Sequence, residues 1–438
     1  METTLPSSEG DQRTHRLWTA LRDRTFRSLR HRNYRFYFFG QLVSFVGSWM
    51  QTTALMWIVY DMTDDPLWTA LLLVAIVGPT IVLGPWAGAV ADRIPKRKLI
   101  FGTQSAFLFT AILLTIVVGL NRATPFVILA IQIVNGLIQA LDLPGRLAFV
   151  PELVPKSDLI NAISLGAMLF NSARFIGPAV TGLIFLLAGL IPLGIKPVII
   201  GSAICFALNA ISYAAVLVAL SRITAEETQT THASGQSSIW DGVRFLRENP
   251  GLGWLVVLTG LFCIFTWPVI TLLPAFTRTV VGLEEKAFSF FVSSLGVGAL
   301  FAALTSATFG SVRRRRRFLQ IGAIVGALGV GGLSRSTIPT EAALCCALLG
   351  FGLILYLSTG QSTLQLNAPS AIRGRLMALW AMTLSASAPV GHFVAGLAAQ
   401  TWPVPAVLLT MFVGAFLSAV GIFVLALGRG LKDSESSP

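Results

Sequence analysis

Charge is scarce in this sequence. Of 438 residues, 12% are Asp, Glu, Lys or Arg, about half the share in an ordinary soluble chain. Acidic residues are the scarcer sign, 20 against 32 basic. So little charge cannot cover a water-soluble surface, and the mean hydropathy of +0.74 places the chain in a bilayer. Cysteine is scarce too. Cys205, Cys263, Cys345 and Cys346 all fall in apolar runs without metal-ligand spacing, which argues against a disulfide framework or a metal site. They read as small packing residues. A nucleophile elbow, a zinc motif and a phosphate loop are also missing, so neither an enzyme nor a nucleotide-driven pump is expected, and no cofactor. The first 35 residues carry many charges and no apolar core, so no cleavable signal peptide is expected.

What the sequence has instead is apolar length. A span needs about 20 apolar residues to cross roughly 30 Å of hydrocarbon. Twelve runs qualify, at approximately 36–60, 67–91, 99–121, 124–144, 161–190, 197–220, 252–273, 288–310, 318–334, 341–364, 376–400 and 403–427. With the N-terminus in the cytoplasm and the spans alternating, 26 of the 32 Lys and Arg residues fall on the inner side. Five fall outside (Arg122, Lys196, Arg278, Lys286 and Arg335), and Arg174 lies within a span. That bias fixes both termini in the cytoplasm. The net charge of +12 therefore records topology and gives no reason to expect a nucleic-acid partner.

The longest polar interruption, 221–250, divides the spans six and six. Its first half is a Ser/Thr/Gln-rich linker. Its second half sets Ile239, Val243 and Leu246 on one side, the pattern of an amphipathic helix on the inner membrane surface. The halves echo each other: Pro155, Leu165 and Pro178 recur as Pro369, Leu379 and Pro389, and the basic turn "DRIPKRK" recurs as "VRRRRR". Two six-span repeats of one orientation imply alternating access around a site between them. The expected architecture is an all-α membrane protein of twelve helices in two pseudo-symmetric six-helix bundles. It divides into a cytoplasmic segment 1–35, a bundle 36–220, a linker 221–250, a bundle 251–428 and a cytoplasmic tail 429–438.

Polar residues inside the spans fall in stripes. Gln41, Ser44, Ser48 and Gln51 step by three and four in the first span, as do Gln132, Asn135, Gln139 and Asp142 in the fourth. Ser358, Gln361 or Ser362, and Gln365 repeat the pattern in the tenth. Such steps return to one helix face, which must meet protein or water rather than lipid. Two readings stand: hydrogen bonds between helices, or a wetted central cavity lined by Gln41, Ser44, Ser48, Gln51, Gln132, Asn135, Gln139, Gln361 and Gln365. The alignment of three stripes favours the cavity. Trp49, Trp57, Trp267 and Trp380 are candidates for apolar contact with a cargo, or for interface anchors.

Arg174 is the exception to the apolar rule. It stands nine residues beyond Leu165, roughly 13 Å along the helix, near the midplane. There an arginine costs at least about 2.5–3.5 kcal/mol by insertion scales, so it must face the interior. It is either a fixed charge for an anionic group on the cargo or a titrating carboxylate, or a clamp on backbone carbonyls or on Asn171. Gly177 and Pro178 follow; the proline removes a backbone hydrogen bond and predicts a kink. No span centre holds Asp or Glu. Candidates for proton coupling are Asp142 and then Glu152, with a fixed Asp142–Arg146 pair as the alternative for the first. His392 reads as a packed polar residue.

The loop "GAVADRIPKRK", residues 88–98, resembles the signature between the second and third spans of major facilitator superfamily transporters, and "RFIGPAVTG" resembles the Gly-Pro signature of its exporters and antiporters. "SFVGSWMQTTALMWIVY", "DLPGRLAFVPEL", "WDGVRFLRENP" and "APSAIRGRLMAL" resemble the enterobactin-exporter and macrolide-efflux branch, over about residues 26–400. The resemblance implies the major facilitator fold and a conformational latch at Gly88, Asp92, Arg93 and Arg97. It also implies export of a siderophore, drug or other small amphiphile from the cytoplasm across the inner membrane, driven by protons, with the bilayer and the cargo as partners and a monomer as the unit. Importers and lipid-handling flippases share the fold. Metal export is disfavoured because the tail "GRGLKDSESSP" holds no histidine. A receptor is disfavoured because no segment is long enough for a sensor domain.

Overall fold

The computed structural model describes residues 26–192, 194–224, 239–309, 314–369 and 372–427. Residues 225–238 of the expected linker, the terminal segments 1–25 and 428–438, and part of the "VRRRRR" turn lie outside them. A 3₁₀ turn, Arg27–Arg30, leads into α1 (Arg32–Thr63), α2 (Pro66–Arg93), α3 (Lys96–Gly119), α4 (Pro125–Leu153), α5 (Leu159–Ala188) and α6 (Pro197–Ser221). After the linker come α7 (Ile239–Glu248), α8 (Pro250–Thr266), α9 (Val269–Thr279), α10 (Glu285–Phe309), α11 (Arg315–Leu333), α12 (Pro339–Asn367), α13 (Arg373–Thr401) and α14 (Val404–Leu427). There is no strand among the described residues.

Eleven segments are long and apolar enough to cross a bilayer, with α8 and α9 counted as one. The helix α11, 19 residues headed by Arg315, Arg316 and Arg317, does not qualify. It packs against α12 and α14 as α3 packs against α4 and α6, and so takes the twelfth place. Turn chemistry sets the boundaries. Asp65 accepts a hydrogen bond from the Leu67 N–H at 2.9 Å to cap α2, and Pro opens α2, α4, α6, α8 and α12 at the first turn, where its missing N–H costs nothing. The seventh span was expected as one run. It breaks at Trp267 and Pro268, because Pro268 has no N–H to continue the ladder.

Every major packing in the first half has its counterpart in the second. The pairs α2·α4, α1·α6, α3·α6 and α1·α5 are matched by α10·α12, α8·α14, α11·α14 and α8·α13. The halves meet through α5·α10 and α2·α13, a pair of contacts that the same two-fold relation exchanges. The core follows this division: Trp57, Phe185, Phe276, Phe288 and Phe291 are buried in a cluster shared by both halves, while Phe262, Tyr356 and Trp380 centre one within the second.

Among the described residues, the close approaches of glycines across the halves lie toward one end. On the side where α1 ends, a Cβ on Gly182 of α5 would lie 3.1 Å from Ser289 Cβ of α10, and one on Gly396 of α13 would lie 2.5 Å from Ala70 Cβ of α2. On the side where α1 begins, Gly84 and Gly88 of α2, Gly166 of α5 and Gly374 of α13 have no heavy atom within 4 Å of where a Cβ would be. Among the described residues, the halves are therefore closed together at the far end and stand apart at these positions near the end bearing the N-terminus.

Candidate functional site

The polar stripes of α1 and α4 face neighbouring helices in this conformation. Gln41 is buried and its Oε1 accepts from Arg146 Nη1 at 2.5 Å. Ser48 shares a hydrogen bond of 3.1 Å with Tyr213 on α6, and Gln51 Oε1 accepts from Asn209 Nδ2 at 2.8 Å. Ser44 is fully buried. On α4, Asn135 Nδ2 donates to Gln132 Oε1, and Asn135 Oδ1 accepts from Thr110 Oγ1 of α3 at 2.7 Å. These contacts are those of the interhelical alternative: Gln41 Oε1, Ser48, Gln51, Gln132 and Asn135 find partners inside the first bundle, as the low dielectric demands, while the Gln41 amide nitrogen and the Ser44 hydroxyl are buried without one. Gln139 is half-buried, whereas Gln361, Ser362 and Gln365 on α12 are exposed. Of the three stripes, the one on α12 is the one left open.

Asp142 is fully buried. Its Oδ1 accepts from Thr103 Oγ1 at 2.6 Å and from Gln104 Nε2 at 3.0 Å, and its Oδ2 pairs with the Arg146 guanidinium one turn on. Arg146 also lies over the Phe45 ring at 5.1 Å. Asp142, Arg146 and Gln41 thus form one buried network joining α1, α3 and α4. Glu152 is half-buried at the end of α4. His392 donates or accepts one hydrogen bond with Thr271 Oγ1 at 2.7 Å and is buried, in keeping with a packed polar residue.

Arg174 is 8% exposed and sits among rings rather than carboxylates. Its guanidinium carbon lies 5.0 Å from the Trp49 ring of α1, 5.6 Å from Phe170 one turn before it, and 5.7 Å from Trp267 at the break between α8 and α9. The three rings come from both halves. A desolvated cation–π contact contributes roughly 2 kcal/mol, so three offset the approximate insertion cost without a counter-ion. They leave the N–H donors unused: Arg174 has no hydrogen-bond or ion-pair partner among the described residues, and its Nε is buried without one. Asn171 donates to the Ala167 carbonyl instead, so the clamp on Asn171 is not formed. Phe170 is exposed, and Trp49 and Trp267 are half-buried, so the cluster is open on one side.

Its position along α5 matters. The Phe175 backbone and the Arg174 carbonyl meet Gly296 of α10, whose Cβ would lie 2.7 and 2.9 Å away, and the contact between halves continues from there to Gly182. Arg174 therefore stands at the inner edge of the seal. Pro178 lies within a helix that is continuous from Leu159 to Ala188; it deprives the Arg174 carbonyl of its intrahelical donor. A Cβ on Gly177 would lie 2.6 Å from Trp49 Cβ and 2.9 Å from Val46 O. This glycine brings α1 against α5 and holds Trp49 beside Arg174.

The basic loop has a second job that its charge did not announce. Lys96 Nζ donates to the Ala91 carbonyl at 2.7 Å, and Arg97 donates to the carbonyls of Leu220 and Ser221 at 3.0 and 3.2 Å. Both cap helix C-termini with cations. Arg93 is exposed and Gly88 half-buried; the Asp92 side chain lies outside the described ones. At the sealed end, a cluster the sequence reading missed joins the halves. Arg278 of α9 binds Asp61 Oδ1 at 2.5 Å, Asp64 Oδ1 at 2.8 Å and Glu284 Oε2 at 3.3 Å, and stacks over Trp57 and Tyr60. Gln400 of α13 donates to Asp65 Oδ2 at 2.8 Å. Trp57 itself stacks on Phe288 with centroids 5.5 Å apart. The acidic run "YDMTDDP" at the end of the first span was the available signal.

The shape and the sequence have known counterparts. The chain is 26% identical over 275 residues to the Staphyloferrin A transporter of Staphylococcus aureus, covering 62% of this chain and 66% of that protein. It is 22% identical over 369 residues to Macrolide efflux protein A of Streptococcus pyogenes, 82% and 88% of the two chains, and 23% identical over 411 residues to Enterobactin exporter EntS of Shigella boydii, 93% and 94%. A bacterial homologue of the human lysosomal transporter Spinster, in an inward-facing and unoccupied conformation, superposes with a TM-score of 0.71 at 14% identity over 93% of this chain and 99% of that one; the likeness is one of fold. The profile of the transmembrane secretion effectors matches residues 23–438. With two matched helical bundles and that profile across nearly its whole length, the chain belongs to the transmembrane secretion effectors of the major facilitator superfamily: it is a multi-pass membrane transporter of small molecules and not an enzyme.

Proposed function

We propose that this protein is a proton-driven exporter that moves a small anionic amphiphile, a siderophore or a drug-like compound, out of the cytoplasm by alternating access. The observation that carries the reading is Arg174, a buried guanidinium boxed by three rings from both halves with its donors unspent. An anionic group on the cargo completes its hydrogen bonding, and flat or apolar parts of the cargo lie on Trp49, Phe170 and Trp267. Gln361 and Gln365 line the path of approach. The names of the relatives, a staphyloferrin transporter, a macrolide efflux protein and an enterobactin exporter, support export of compounds of this kind.

In this reading both termini are cytoplasmic, the membrane is the inner one, the protein works as a monomer and the parted end faces the cytoplasm. Cargo enters from that side and reaches Arg174 at the inner edge of the seal. The Arg278 cluster then opens while the loop around Asp92, Arg93 and Arg97 latches the inner side. Asp142 is the coupling group. Its proton uptake neutralises the partner of Arg146 and frees that guanidinium and Gln41, which loosens α1 from α4. Glu152 is the second candidate.

The reading is tested in inverted vesicles. Anionic siderophore-like cargo should accumulate when a proton gradient is imposed and stop when it is collapsed. Arg174→Gln should abolish uptake of anionic cargo and spare cationic cargo. Equal loss of both would return Arg174 to a structural role, and accumulation after collapse would remove the antiport.

A further inference from the structure

On the membrane-facing side of α1 and α6 lies a groove of about 480 Å³ lined by Arg35, Phe36, Phe39, Gly40, Ala215, Val218, Ala219 and Arg222. Its floor is the close approach of the two helices, where a Cβ on Gly40 would lie 3.1 Å from Ala219 Cβ. Its walls are Phe36, Phe39 and Val218, the last two about half exposed. The opposite edge of α1 is taken: Tyr34 donates to the Ala162 carbonyl of α5, Tyr37 packs on Phe149 of α4, and Gln41 meets Arg146. Phe39 therefore points away from the bundle, with Phe36 half-buried beside it against the core.

The rim differs in kind from the floor. Arg35 lies in the first turn of α1 and Arg222 caps the end of α6, so both guanidiniums stand at the leaflet boundary on the side where α1 begins. Both are exposed, and neither has a side-chain partner among the described residues. Arg35 is also placed against the helix: α1 has no acidic residue in its first turn, where the macrodipole favours anions. Topogenic charge explains why arginines lie on this side, but not why two of them close the open end of an apolar slot.

We propose that this groove binds one anionic glycerophospholipid, its phosphate between Arg35 and Arg222 and one acyl chain along Phe36, Phe39, Gly40, Ala215 and Val218. Basic pockets between membrane helices take headgroups of this class. The two features need each other: the guanidiniums supply a bidentate partner for phosphate, and the slot supplies apolar area that a free anion cannot use. Because Gly40 and Ala219 set the spacing of α1 and α6 at their ends, the bound lipid stiffens the first bundle.

The test is the melting temperature of the full-length protein in a neutral detergent, titrated separately with short-chain phosphatidylglycerol, the matching phosphatidylcholine and inorganic phosphate. Phosphatidylglycerol at about a hundred times its Kd should raise melting by roughly 3 °C, and the other two should not. The double variant Arg35→Gln, Arg222→Gln should lose the shift. Ala215→Phe, which fills the slot and keeps both arginines, should lose it as well, so the outcome does not hang on one variant folding. An equal shift with phosphatidylcholine, or with inorganic phosphate, would overturn the proposal, as would a shift retained in both variants. Native mass spectrometry gives an independent reading: wild-type protein should carry phosphatidylglycerol about threefold more often than the double variant, and equal carriage would also overturn it.

Discussion

At the scale of single residues, this protein places its charges where a second interaction offsets their burial. Asp142 is held by a guanidinium and two side-chain donors, and Arg174 by three rings. The difference decides what each can do. A satisfied pair holds helices together, and a cation with free donors can bind. Asp158, just before α5 and outside the spans, belongs to the first kind. It accepts from His31 Nε2 at 2.7 Å and pairs with Arg27 Nε at 2.8 Å, while Ser28 Oγ donates to its backbone carbonyl at 2.9 Å. The His31 hydrogen bond first, and then the Arg27 charge, hold its carboxyl below the ordinary 3.8. A depressed carboxylate stabilises the fold above its unfolded-state value, and that contribution is lost as pH falls through its folded value. Asp158→Asn should therefore melt below wild type at pH 7, and the gap should close under pH 4; calorimetry at the two pH values checks this. Packing has its own single-residue test. A Cβ on Gly350 would lie 1.9 Å from the Leu295 carbonyl of α10, and backbone cannot swing aside as a side chain can. Gly350→Val should cost about 1–3 kcal/mol, read as reduced melting and yield.

At the scale of elements, the span broken at Trp267 and Pro268 and the cluster around Arg278 govern the sealed end. The Arg278–Asp61 pair is the one that matters energetically, since both partners are mostly shielded. The pairs to exposed Asp64 and Glu284 are worth a few tenths of a kcal/mol. Arg278→Ala should shift the balance toward the form open at the far side by about 1 kcal/mol, roughly fivefold. Spin labels at exposed Asn121 and Thr337, in the corresponding far-side loops of the two halves, should then report a larger population of long distances. The amphipathic element also behaves as an anchor. α7 sets Gly242 against Leu379 and Arg375 of α13, pairs Asp241 with Arg375 at 2.5 Å, and leaves Trp240 71% exposed, in position to lie in the headgroup layer.

At the scale of the whole molecule, the close approaches between halves among the described residues lie toward one end, and the alternating access we propose requires them to part. A cross-link there should stop transport. Cβ atoms at positions 182 and 289 would be 3.1 Å apart, a few tenths of an ångström from the range a disulfide spans. Gly182→Cys with Ser289→Cys should lose transport under oxidation and recover it on reduction. Full transport by the oxidised protein would show that α5 and α10 do not separate there. The four native cysteines are free, and three of them are buried, so they should not compete.

How far the sequence reached depended on which forces it encodes directly. Hydropathy and the basic bias are written residue by residue, because each span must satisfy the bilayer on its own and each flanking charge meets the membrane locally. The spans and the division between them were legible for that reason, and the family was legible from its loop and Gly-Pro signatures. The stripes showed which residues share a face, but not which neighbour that face meets. Gln41, Ser48 and Gln51 turned out to meet α4 and α6, while Gln361 and Gln365 remained open. Arg174 was visible as an anomaly; the rings that surround it come from positions 49, 170 and 267, on three segments whose approach depends on Gly177 and on the break at Pro268. The Asp61–Arg278 cluster joins residues more than two hundred positions apart. Periodicity along one chain fixes orientation about a helix axis, and only the packing of helices against one another decides which charges are neutralised and which are left to bind.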